Sequence, residues 1–149
     1  MKIAGSPVYL DTSGLAKLYV PEPQSVELET ALVGRRDLIV SDLAITELTS
    51  ALLRRVRDGD LAVSHGRRIY RQLLADLQAG EFRRADLGSA AHREAERLLM
   101  SVGRTVALRA GDALHLALAN AAGARTLVTF DRRLTAAAEA IGTFELIGT

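Results

Sequence analysis

Cysteine is missing from this 149-residue chain. Its absence excludes a disulfide scaffold, a thiolate zinc site, an iron–sulfur cluster and a cysteine nucleophile. Tryptophan is missing too, and aromatic residues make up only 4%, which argues against a platform of rings for stacking bases. An excess of one charge is also lacking. Lys+Arg is 19 against Asp+Glu at 18, a formal net charge of +1, so bulk charge makes no case for nucleic acid. Lys2 and Lys17 are the only lysines. The basic side is arginine, whose planar fork suits phosphates, although usage this broad reads first as compositional bias. The weakly charged stretch Ala113 to Ala124 is interrupted by His115 and Asn120 and is too short to cross a bilayer. Met1 to Leu10 lacks the apolar core of a secretory signal. The expectation is a soluble cytoplasmic protein with no membrane contact.

No linker rich in proline, glycine or serine divides the sequence, and its three prolines (Pro7, Pro21, Pro23) fall near the start. One domain over residues 1–149 is expected. A domain of this size hides roughly 68–70% of its unfolded surface without covalent staples. No Gly-x-x-x-x-Gly-Lys or Gly-x-Gly-x-x-Gly loop is present, so nucleotide cofactors are not expected. No serine stands in a Gly-x-Ser-x-Gly elbow.

Short apolar runs alternate with longer helical patterns. Strands are expected at Pro7–Leu10, Leu38–Val40 and Thr126–Phe130, with shorter ones at Glu81–Arg83 and Phe144–Ile147. Helices are expected over Thr12–Val20, Gln24–Val33, from Ser41 or Asp42 to Arg57, after a Ser64 cap, after a Ser89 cap, over Gly111–Gly123, and from Asp131. Strands separated by helices imply right-handed crossovers and a central, mostly parallel sheet covered on both faces. In such sheets the carboxyl ends of the strands form the reactive edge.

Acids fall at that edge. Asp11 follows Val8-Tyr9-Leu10, Asp131 follows Thr126 to Phe130, and Asp112 opens a helix. Glu47 lies beside the buried arc of Ile45, Leu48 and Leu52. Any one of the three aspartates reads first as a helix cap. Together the four acids would mass negative charge in one cleft, raising one another's pKa unless a cation neutralises them. An all-oxygen donor set suits Mg²⁺ or Mn²⁺. The chemistry such a site supports is metal-assisted phosphodiester hydrolysis.

Val8-Tyr9-Leu10-Asp11-Thr12-Ser13-Gly14-Leu15 resembles the opening motif of PIN-domain ribonucleases, especially the VapC toxins of bacterial toxin–antitoxin systems. Ser41-Asp42-Leu43-Ala44-Ile45-Thr46-Glu47-Leu48 is similar to their second motif, Asp112-Ala113-Leu114-His115-Leu116-Ala117 to their third, and Val128-Thr129-Phe130-Asp131-Arg132-Arg133-Leu134 to their fourth. Four motifs in order cover nearly the whole chain. The resemblance implies a three-layer α/β/α fold, cleavage of RNA dependent on Mg²⁺ or Mn²⁺, a homodimer, and neutralisation by a small cognate antitoxin. It further implies Asp11 and Asp112 as principal metal ligands. Asp131 would ligate a second metal or act through water, and Glu47 would orient water or complete the shell. Gly111 stands before Asp112 where the family often has a bulkier residue, which predicts a looser helix start.

Thr12, Ser13 and Thr129 bring hydroxyls to the same rim. His115, between Leu114 and Leu116, reads as a buried histidine with one hydrogen bond. Arg109 and Arg132 flank the acids and are best placed for substrate. Leu15, Leu18, Tyr19, Val20, Leu28 and Leu32 read as core, with part of the set available for a dimer face or an antitoxin helix. Two rival functions remain. Phosphoryl transfer through Asp11 would want a second aspartate where Ser13 stands, and a non-catalytic RNA- or protein-binding module would have no use for four acids.

Overall fold

The computed structural model describes residues 1–148. Five strands are β1 (Val8–Leu10), β2 (Leu38–Ser41), β3 (Arg83–Ala85), β4 (Thr126–Val128) and β5 (Glu145–Ile147). Seven α-helices are α1 (Thr12–Tyr19), α2 (Ser25–Leu32), α3 (Asp42–Arg57), α4 (Val63–Gln78), α5 (Ser89–Ser101), α6 (Ala110–Ala121) and α7 (Arg132–Ile141). The sheet order is β3-β2-β1-β4-β5, and every neighbouring pair is parallel.

The central strands are buried on both faces, as parallel strands between helical layers must be. Their side chains alternate between two cores. Val8 and Leu10 join Leu15, Leu28, Leu48 and Leu73, contributed by α1–α4. Tyr9 and Ile39 face the other way, onto Leu98, Leu116 and Leu134 from α5–α7. The result is the three-layer α/β/α arrangement. A two-residue period on β1 thus sends its single tyrosine toward α6.

α6 is buried almost all round: Ala113, Leu116, Ala117, Leu118 and Ala119 are core, and so are two polar residues, Asp112 and His115. The helix begins at Ala110, one residue before the expected Gly111. Asp112 Oδ2 accepts the Arg109 backbone N–H at 3.1 Å, so a side-chain cap ties down this start despite the glycine.

Three local expectations are corrected. The third strand is Arg83–Ala85 rather than Glu81–Arg83, because Phe82 turns into the core and the ladder begins after it, with Arg83 opposite Ile39. α4 starts two residues early and α5 one. Ala62 and Gly88 hold their cap positions with no side-chain cap bond. The Ala62 carbonyl accepts from His65 and Gly66, and the Gly88 carbonyl from Ala91 and His92. Among the described residues no helix is long and apolar enough to cross a membrane.

Candidate active site

β1 and β4 lie side by side at the middle of the sheet and deliver Asp11 and Asp131 just beyond their carboxyl ends. Asp11 caps α1: its Oδ1 accepts the Gly14 N–H at 2.8 Å and the Ser13 hydroxyl at 2.7 Å. Its Oδ2 accepts the Thr129 hydroxyl at 2.6 Å. Gly14 permits this close packing, since a Cβ there would meet the Val128 carbonyl oxygen at 3.0 Å. Asp11 is only 3% exposed. Burial pushes its carboxyl above the ordinary aspartate value, against the pull of those donors.

Glu47 reaches in from α3. Its Oε1 accepts from the Thr12 hydroxyl at 2.7 Å and from His115 Nε2 at 2.6 Å. The His115 hydrogen bond holds it below the ordinary glutamate value, with burial opposing and Thr12 assisting. Asp131 caps α7, its Oδ1 accepting the N–H groups of Arg133 and Leu134. Asp112 stands in the first turn of α6 with the Arg109 guanidinium 3.9 Å away.

All four acids line one cavity of about 460 Å³, together with Thr12, Ser13, Arg109, Gly111 and His115. Among the described residues, Glu47 Oε2, Asp112 Oδ1 and Asp131 Oδ2 have no hydrogen-bond partner, whereas both oxygens of Asp11 are engaged. No three of the His, Asp and Glu side chains among the described residues stand as a ready metal cluster. The acids therefore share a pocket, with three open oxygens, rather than a closed coordination sphere. Oδ1 of Asp11 accepts two hydrogen bonds and Oδ2 one, which leaves Oδ2 a lone pair at the cavity.

A cavity of about 530 Å³ between α1, α2 and α4 is lined by Leu18, Tyr19, Leu32, Val33, Ile69 and Phe82 among others. Its half-buried acid, Asp76, already accepts from Tyr19 and Gln72. Arg35 and Arg68 balance its other acids, Glu29 and Glu81, whereas the smaller cavity gathers four acids against the single Arg109. Leu15 and Leu28, by contrast, are fully buried core.

Sequence reasoning missed the reach of His115. The residue is 4% exposed but bonds through both ring nitrogens: Nδ1 lies 2.8 Å from the Tyr9 hydroxyl and Nε2 contacts Glu47. The one available signal was a histidine one helical turn after Asp112 on an otherwise apolar helix. Arg109 lines the cavity as expected of a residue flanking the acids.

A model of the PIN domain family matches residues 8–140. The chain is 36% identical over 137 residues to the Mycobacterium tuberculosis protein Ribonuclease VapC46, covering 91% of this chain and 92% of that protein. Two solved structures share the fold. Mycobacterium tuberculosis VapC20, described as a sarcin–ricin loop cleaving toxin, superposes with a TM-score of 0.66 at 16% identity, covering 87% of this chain and 94% of that one. VapBC2 from Rickettsia felis, bound to a DNA fragment from its promoter, gives a TM-score of 0.66 at 15% identity over 93% and 96%.

Proposed function

The chain belongs to the PIN domain family, and from that premise we propose that it is an endoribonuclease, the toxin of a toxin–antitoxin pair. The observation that carries this reading is the convergence of Asp11, Glu47, Asp112 and Asp131 on one pocket at the carboxyl edge of the sheet. The kinship with a protein named as a VapC ribonuclease supports it.

The donor set fits a hard divalent cation. Three acids each keep an oxygen without an internal partner, and no sulfur and no lysine line the cavity. Asp11 and Asp112 are proposed as the principal ligands of Mg²⁺ or Mn²⁺, with Asp131 and Glu47 completing the site. When bound, such an ion supplies Lewis acidity toward a phosphate oxygen and toward attacking water. The protein's own side chains do the rest. Ser13 and Thr129 hold Asp11 by its two oxygens, so the carboxylate is set before substrate arrives. Thr12 and His115 hold Glu47 Oε1 and leave Oε2 to orient water or ligate. Arg109, two-thirds exposed at the cavity wall, can leave Asp112 for a substrate phosphate. Ser13, standing where the phospho-aspartate alternative would want a second aspartate, disfavours that alternative.

In this role the protein acts in the cytoplasm, cuts RNA, forms a homodimer and is silenced by a small cognate antitoxin. The test is cleavage of RNA by the purified protein with Mg²⁺ or Mn²⁺. Cleavage is expected to stop with EDTA, to return with the metal, and to be lost in Asp11→Asn. Cleavage indifferent to chelator, or undiminished in the variant, removes the reading.

A further inference from the structure

A file of polar side chains runs behind the acidic pocket. Ser41 Oγ lies 2.8 Å from the Tyr9 hydroxyl, the Tyr9 hydroxyl 2.8 Å from His115 Nδ1, and His115 Nε2 2.6 Å from Glu47 Oε1. Tyr9 and Ser41 are fully buried and His115 nearly so. Its members sit on the elements that carry three of the acids. Tyr9 is two residues before Asp11 on β1, Ser41 caps the helix that carries Glu47, and His115 follows Asp112 by one turn of α6.

Each member is bonded to the next, and His115 Nε2 also lies 3.2 Å from the Thr12 hydroxyl. A carboxylate accepts hydrogen bonds and cannot donate, so Nε2 is the ring nitrogen that carries a proton toward Glu47. Nδ1 is then matched by the Tyr9 hydroxyl, which also engages Ser41. Ser41 in turn accepts the Ala44 N–H at 3.1 Å as the cap of α3. The ring plane is fixed further by its edge-on packing against Tyr9, with centroids 5.9 Å apart. Glu47 is thereby gripped by one oxygen. The other, Oε2, has no partner and stands 3.7 Å from where a Cβ on residue 111 would lie, an ordinary contact distance.

We propose that His115, backed by Tyr9 and Ser41, is a positioning residue that fixes the Glu47 carboxylate with Oε2 presented to the pocket, and so helps set the spacing of the acids on β1, α3 and α6. The inference rests on the nuclease reading above. A merely structural histidine would be replaced without functional loss by an apolar residue of similar bulk.

The experiment measures Mn²⁺ affinity by calorimetry on the intact metal-stripped protein, alongside kcat and KM on RNA, in wild type, His115→Leu, His115→Gln and Tyr9→Phe. His115→Leu is expected to weaken Mn²⁺ binding by about 10–100-fold and to lower kcat by a similar factor, with KM moving less than about 3-fold. His115→Gln keeps an N–H near the Nε2 position and is expected to recover most of both losses. Tyr9→Phe touches no acid, yet is expected to lose about 3–10-fold in each. Wild-type affinity and kcat in His115→Leu overturn the inference. So do losses that merely follow Tm, with glutamine no better than leucine, and so does a wild type that binds no Mn²⁺. A wild type that binds Mn²⁺ but cuts no RNA overturns the nuclease reading alone, and the Mn²⁺ affinities then decide the role of His115.

Discussion

The two halves of the acidic pocket are built differently. Asp11 and Glu47 are tied to distant parts of the sequence, Asp11 by Thr129 beside its local donors Ser13 and Gly14, and Glu47 by Thr12 and His115. Asp112 and Asp131 accept hydrogen bonds only from backbone N–H groups at their own helix starts. The first pair therefore depends on tertiary structure, and the second on local structure that any capped helix would supply. Fixing a charge internally has a cost. Asp11, although it caps a helix start that favours negative charge, is buried deeply enough that its charged form is disfavoured.

The largest break in that comparison is Asp11→Asn. Cleavage is expected to fall on the order of 10³-fold or more. Because burial raises the folded pKa of Asp11, its charge opposes folding at neutral pH, and stability from this group grows as pH falls toward the folded value. The variant is therefore expected to melt several degrees higher than wild type in chelator, a gain of ~1–2 kcal/mol. Melting curves that fall instead would show that Asp11 carries no such cost. Adding Mn²⁺ should raise the melting temperature of wild type but not of Asp11→Asn.

Next in size is Thr129→Val, which removes the donor to Asp11 Oδ2 at nearly constant volume. A loss of about 1–3 kcal/mol in denaturant unfolding is expected, because a buried carboxylate oxygen is left unpaired. Asp131→Asn sharpens the contrast from the locally held pair. Asparagine caps a helix about as well as aspartate, so activity should drop by about 10–100-fold while the melting temperature stays within ~2 °C. A large stability loss there would make the two halves alike.

The smallest effect lies away from the pocket. The Arg35 hydrogen bond holds the Asp37 carboxyl below its ordinary value. A depressed folded pKa adds stability above the unfolded value, roughly 3.9, and that contribution is lost as pH falls through the folded value. Asp37→Asn should thus melt slightly below wild type at pH 7, by up to ~1 kcal/mol, with the difference vanishing in acid titration.

The same division explains what the sequence discloses. Asp11 and Asp131 are legible because each directly follows an apolar run, and a strand end followed by a capping acid is a local pattern. Glu47 is legible only beside the arc of Ile45, Leu48 and Leu52, and through the resemblance of its motif. The second bond of His115 is not legible at all, since its partners Tyr9 and Glu47 lie 106 and 68 residues away along the chain. The edge strand shifted by two residues for a similar reason. Phe82 reads as part of a strand, and only its burial in the core places it before the ladder.

The strand order has a last consequence. The two strands that lead to aspartates, β1 directly to Asp11 and β4 three residues before Asp131, are neighbours, and neither has an open side. Loosening of a sheet begins at its margins, here the arginine-rich Arg83–Ala85 and the half-exposed Glu145–Ile147. Opening at those borders leaves the β1–β4 ladder paired, and with it the placement of Asp11 at the end of β1.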